Sequence, residues 1–270
     1  MTVMDLDAAY TLVIALASIS VLIGSVELII IRAEFEDSGL FGWAVLRTLS
    51  KFSLTVGADR VQRLISHRLF VPLIAGGRAS AALALIFLGD RLTLSAACVL
   101  FIVAATVLLY WRSPVGLDGS DQMTLIIFIA VGIHKIFHGD VLVAKASLWF
   151  IAIQGCLSYF VAGVAKLISP VWRSGEAVRR IFSTRTYGAS AVAHVLQRSD
   201  GVAVALAWLV IIFECTFPLA LVLGKQGFVV FAALGVVFHL ANAVVMGLNT
   251  FVWAFAASYP AILFCAASLK

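Results

Sequence analysis

The chain has 270 residues, 63% of them hydrophobic and only 12% charged, with a mean hydropathy of +1.09. Soluble domains carry roughly 25% charged and 45–50% apolar residues, so this composition excludes a soluble globular fold and requires an integral membrane protein. The formal net charge of +5 comes from basic residues that flank apolar runs, a placement suited to anionic lipid headgroups and not to nucleic acid.

A run of about 20 apolar residues is long enough to cross a bilayer. The first covers residues 8–31. The segment before it, "MTVMDLDAAY", lacks the positive charge of a secretory signal, so the run reads as a retained helix. Residues 42–69 mix Arg47, Lys51, Arg60, Arg63 and Arg68 with Trp43, Leu46, Leu49, Phe52 and Leu54, which predicts an amphipathic segment on the membrane surface. Runs at 69–88 and 92–111 are separated by little more than "GDR", so they form an antiparallel hairpin. The stretch "RSPVGLDGSDQ" is a loop by its turn residues. A short run at 123–137 and a long one at 143–168 follow. A basic connection then carries Arg173, Arg179, Arg180, Arg185 and Arg198, and runs at 202–223, 228–246 and 251–267 complete the chain.

The expected fold is all-α: a polytopic transmembrane helix bundle of about eight helices with an interfacial amphipathic segment. Residues 1–270 form a single membrane domain, because the longest polar connection, 32–68, has no room for a soluble one. Cys98, Cys156, Cys215 and Cys265 each lie in an apolar run without a C-x-x-C pair, which suggests neither a disulfide framework nor a zinc site. His134 and His138 are spaced i, i+4, but five histidines are too few for a many-histidine metal centre, and no metal is expected. The chain has no G-x-S-x-G elbow, P-loop or G-x-G-x-x-G, so nucleophilic hydrolysis and nucleotide binding have no support.

A charge at bilayer depth costs about 2.5–3.5 kcal/mol on insertion scales, so each must face protein or water. The candidates are Glu27, Arg78, Lys166, Glu214 and His239. Gly155, Tyr159, Ala162 and Lys166 share one helix side by their spacings of four, three and four. That side is small and polar, which points Lys166 toward neighbouring helices. Desolvation there favours a free amine, the form that acts as a general base. The alternative is a lysine whose ammonium reaches the headgroups. Glu214 precedes Pro218 by four residues, which frees its carbonyl; its carboxylate is either a site group or a structural partner of Arg78 or Lys166. His239 and Asn242 lie one turn apart on one face, as a site or as an interhelix contact.

"YFVAGVAKL" followed by "VWRSG", residues 159–175, resembles the membrane domain of the vitamin K-dependent gamma-carboxylases and their bacterial relatives, the horizontally transferred transmembrane (HTTM) family. The loop "DGSDQM" and the downstream "FE…FPLAL" and "FHLANAVVMGLNTF" are similar too, so the resemblance spans about residues 110–260. It implies that Lys166 is the amine that deprotonates a reduced, vitamin K-like quinone. Glu214 and His239 are then its polar partners, and Tyr159, Trp172 and Asn242 line the substrate pocket, with Trp172 as a lid.

These residues support two functional expectations. One is an enzyme with carboxylase-like, quinol-oxygenating lyase chemistry on a lipid-soluble molecule, a small peptide being a further substrate. The other is a non-catalytic accessory factor for maturation or export of a small secreted peptide. The expected location is the cell membrane, multi-pass, in the inner membrane of a bacterium.

Overall fold

The computed structural model describes residues 5–49, 63–88, 92–113 and 118–269. Every regular element among them is helical. Six helices are long and apolar enough to cross a membrane, and a seventh crossing is counted if one bent pair is a single span. Four of the six are α1 (Leu6–Ile30), α3 (Phe70–Phe87), α4 (Leu92–Arg112) and α6 (Val141–Ile168); between α1 and α3 lies the short α2 (Trp43–Leu49). The fifth is α12 (Gly224–Met246), and the sixth, 249–268, joins α13 (Asn249–Ala256) to α14 (Tyr259–Ser268).

Two of the eight expected spans fall short of that set. The run at 123–137 belongs to α5 (Gly119–Ile136), 18 residues whose first turn is polar. The run at 202–223 is interrupted: α10 (Asp200–Thr216) stops just before Pro218, and a separate turn, α11 (Leu219–Val222), follows. Proline has no N–H to continue the ladder, and the chain resumes with Ala220 N–H on the Phe217 carbonyl and Leu221 N–H on that of Pro218. The bundle is a helical, polytopic membrane architecture with fewer uninterrupted crossings than the apolar runs suggest. Leu73, Val237 and Val244 turn large apolar side chains outward, where a soluble protein would place polar ones and where lipid belongs.

By packing, the chain divides into two units. Thr11–Ser147 forms one; Leu148–Lys270 with the first ten residues forms the other. In the first, α3, α4 and α5 pack in series, and Ser20 and Thr124 hydrogen-bond at 3.1 Å inside it. The amphipathic segment expected at 42–69 is represented by α2, whose Leu46 is buried, and by a helical turn at 63–66 whose Ile65 joins Phe35, Phe70, Val71 and Leu109 in one apolar cluster. The remainder of that segment, 50–62, lies outside the described residues.

Arg112, at the end of α4, fastens this region. Only 2% of it is exposed. It donates Nη1–H to the Phe41 carbonyl and Nη2–H to the Phe35 carbonyl, each at 3.0 Å. The guanidinium carbon also lies 5.6 Å from the Phe35 ring centroid and 5.3 Å from that of Trp43. The planar fork suits this role, since it offers several donors at once and stacks on rings. Arg112→Met should leave both carbonyls unpaired and cost about 2–6 kcal/mol, taking roughly 1–3 kcal/mol for each buried group. Chemical unfolding in detergent measures this, and a variant as stable as the parent would refute the fastening role.

Candidate functional site

The second unit holds the expected site residues, and their arrangement starts from backbone approach. On α6, a Cβ at Gly163 would lie 2.6 Å from the Cys215 nitrogen and 2.9 Å from the Glu214 carbonyl carbon. The missing side chain therefore lets α10 touch α6 beside Glu214, and Lys166 follows one turn later. Its Nζ donates to Glu214 Oε2 at 2.6 Å and, more weakly, to the Ala162 carbonyl at 3.4 Å. The lysine side chain is 19% exposed and that of the glutamate 6%, so the pair stands at the edge of the packed interior. Of the two partners that the sequence offers Glu214, the structure pairs it with Lys166. Arg78 belongs to the other unit, buried on α3 with Asp121 and Tyr110 as its electrostatic neighbours; Glu27 is exposed near the end of α1.

The turn after α6 places Trp172. Pro170 opens the one-turn α7 (Pro170–Arg173), and Ser169 before it is extended, as a residue preceding proline prefers. Gly175 then takes φ = 76°, a left-handed conformation that glycine enters without strain. A Cβ there would also lie 2.7 Å from backbone atoms of Ala203 and Val204 on α10, so the turn is pressed against that helix. Trp172 is left half-buried, its ring centroid 5.2 Å from Lys166 Nζ. An ammonium over an indole face is worth about 0.5–2 kcal/mol, more as water is excluded. Lys166, Glu214 and Trp172 are thus one contact group.

Tyr159 and His239 make a second. Two turns before Lys166, Tyr159 is 3% exposed and its hydroxyl meets His239 Nε2 at 2.6 Å and the Tyr259 hydroxyl at 2.9 Å. Around them, Tyr159 stacks on Phe217 at 3.8 Å and sets its edge to Phe213 and Phe255, while His239 stacks on Phe255 at 4.6 Å. His239 Nδ1 is closed off and has no hydrogen-bond partner among the described residues. Asn242, one turn beyond His239, is half-buried and makes no side-chain hydrogen bond among the described residues, so it joins neither group.

Sequence reasoning missed Gly163 and Tyr259. The first had a signal: glycine within "AGVAK" on a membrane helix marks a close approach. The second had none, because 100 residues separate Tyr259 from Tyr159. At its hydroxyl, Gly235 supplies the space, since a Cβ there would fall on the Tyr259 oxygen. The i, i+4 histidine pair does not form on one helix, because α5 ends at Ile136 and His138 lies beyond it. Among the described residues no three His, Cys, Asp or Glu side chains gather in a group able to hold a metal.

Fold and composition define a polytopic helical membrane protein. A family model described as the HTTM domain matches residues 133–268, which is half of the chain, and the chain belongs to that family. The match contains both contact groups. No curated protein and no solved structure matches the chain.

Gly163→Ala should force a 2.6 Å contact against backbone and cost about 1–3 kcal/mol, as overpacking does. Gly76→Ala, where a Cβ meets nothing, should be neutral or stabilising by up to about 1 kcal/mol. Paired unfolding measurements compare the two; equal effects would remove the special status of the Gly163 contact.

Proposed function

We propose that the Lys166–Glu214 couple works as a single base toward a hydroxyl of a lipid-soluble substrate, with a reduced, vitamin K-like quinone as the class in view. The observation that carries this reading is the 2.6 Å amine–carboxylate contact, partly open and covered by Trp172. Membership of the HTTM family supports it.

The donor set fits such a ring. Lys166 and Glu214 offer a proton acceptor at an aromatic face, and Tyr159, two turns away on α6, gathers the rings of Phe213, Phe217 and Phe255 from other parts of the unit. A reduced quinone, when bound, supplies an acidic phenolic hydroxyl. The chain's own part is proton handling. Poorly solvated charges are costly, so drying the pair favours transfer of one ammonium proton to the Glu214 carboxylate. Lys166 is then a neutral amine whose lone pair takes the hydroxyl proton, one N–H bond forming as the O–H bond breaks. The net result is a protonated Glu214 and a charged Lys166 beside the new oxyanion. Trp172 shields the exchange from water and attracts the returning ammonium. Tyr159 and His239 fix the aromatic wall.

Lys166→Arg keeps a cation for Glu214 but cannot become neutral, because a guanidinium stays protonated. It should therefore lose activity as fully as Lys166→Ala, by about 10²–10⁴-fold. Oxygen uptake by the purified protein in nanodiscs, supplied with a reduced naphthoquinone, is the measurement. An active Lys166→Arg protein would sink the base assignment. Uptake no greater than that of empty nanodiscs would end the quinol reading and turn attention to maturation or export of a small secreted peptide.

A further inference from the structure

Outside that site the molecule has an open cavity of about 350 Å³ at the surface between α8 (Glu176–Phe182) and α9 (Ser190–Arg198), lined mostly by exposed residues. This is within the size range of small-ligand sites, about 300–1,000 Å³. Phe182, Ser183, Thr184, Ser190, His194 and Gln197 are among its walls, and no wall residue carries a carboxylate. A lining without anionic oxygens gives a cation nothing to hold. Ser183 and Thr184 already donate their hydroxyl protons to the carbonyls of Arg179 and Ile181. The donors left for a ligand are the Ser190 hydroxyl, the His194 ring and the second amide hydrogen of Gln197, whose first goes to Ser183 Oγ at 3.3 Å. The ligand that matches is an acceptor.

Charge around the cavity selects an anion. Glu176 engages Arg179 and Arg180, and Asp200 engages Arg179. Arg173, Arg185 and Arg198 make no ion pair among the described residues. Arg185 follows Thr184 in the chain and Arg198 follows Gln197, so two of these exposed charges are next neighbours in sequence of wall residues. Five arginines against two carboxylates over 169–200 leave a net charge of +3.

Placement selects the source of the anion. The break at Ser199 turns α9 by 112° from α10. When α10 follows the membrane normal, α9 lies almost in the membrane plane. Its Leu196 is buried against Val178, Ala203 and Ala207, while Val195 is 54% exposed and Tyr187, on the approach to it, is 41% exposed. An apolar side turned outward beside arginines is the pattern of an element at the headgroup level.

We infer that the α8–α9 cavity holds the phosphate group of an anionic membrane lipid. His194 and Ser190 hold its oxygens, Gln197 contributes a third donor, and Arg185 and Arg198 neutralise the charge at the rim.

Native mass spectrometry of the full chain, after reconstitution with phosphatidylglycerol or phosphatidylcholine, tests this. One phosphatidylglycerol should survive delipidation per chain, with retention at least tenfold greater than for phosphatidylcholine. Retention should fall at least tenfold in the Ser190→Ala/His194→Ala double variant. Ala193→Phe, which fills the cavity from its wall, should do the same. The exposed His194 makes the double variant the safer one for folding, and circular dichroism checks both. Equal retention in parent and double variant would overturn the site, and so would equal retention of the two lipids. If 10 mM inorganic phosphate, on the order of a weak anion site's dissociation constant, binds the parent and not the double variant while phosphatidylglycerol is not retained, the lipid source is overturned.

Discussion

An ammonium and a carboxylate can remain inside a membrane domain only if each compensates the other, and Lys166 and Glu214 do so at 2.6 Å. Isolated, each would carry the full insertion cost of a buried charge. Meeting requires two helices close enough for a lysine's reach to end on a carboxylate. Gly163 provides that closeness by bringing the backbone of α10 against α6 at Glu214 itself. The pairing, the helix contact and the position of Trp172 are therefore one construction: the turn that carries Trp172 is pressed on the same α10 through Gly175. A change at any of these points should be felt at the others.

The other unit meets the same constraint differently. Arg112 is almost wholly buried, and among the described residues no carboxylate is hydrogen-bonded to it; two backbone carbonyls and two aromatic rings surround it. The Phe35 carbonyl closes the 3-10 turn at Arg32–Phe35 and that of Phe41 lies in the irregular chain after it, where backbone groups have few helical partners. The guanidinium satisfies them and is itself solvated by them. Such a fork cannot deprotonate, so it serves as a fixed fastener. Lysine paired with glutamate is chemically different, because a proton can pass between the two. The contrast separates a charge held by neutral groups from one held by an opposite charge.

Much of this was legible in the residues. Apolar length gave the spans because a bilayer sets that length, and the small, polar face of Gly155, Tyr159, Ala162 and Lys166 correctly turned Lys166 toward protein. Pro218 announced a defect near Glu214, although the apolar run continues across it and hides the helix end at Thr216. The sharp bend falls at Ser199, itself neither glycine nor proline, with an extended backbone, φ −140° and ψ 108°, that is open to any residue; the Asp200–Gly201 pair just beyond it was the local signal, and it does not give the angle. Asn242 shows the limit of spacing arguments. One turn from His239 puts it on a shared face, but what that face meets depends on the neighbouring helices, and among the described residues they bring nothing that hydrogen-bonds to Asn242.

The Tyr259–Tyr159–His239 chain adds a constraint of its own. A phenol has one proton to donate, so Tyr159, bonded at 2.6 Å and 2.9 Å to two partners, gives it to one and accepts from the other. If Tyr159 donates to Nε2, then Tyr259 donates to Tyr159 and the neutral ring carries its proton on Nδ1. If the ring donates from Nε2, the order reverses and Nδ1 is a bare acceptor. Either way the chain couples the ring's tautomer to a hydroxyl on α14, and leaves at Nδ1 a buried atom with unused capacity among the described residues. Gly235 makes the chain possible by leaving room for the Tyr259 hydroxyl. Aromatic rings enclose the whole, so water cannot exchange the two orders freely. This chain lies two helical turns from the Lys166–Glu214 pair on the same face of α6, joined to it by Phe213 next to Glu214. The polar interior of this unit is thus two proton-bearing groups held in register by a single helix.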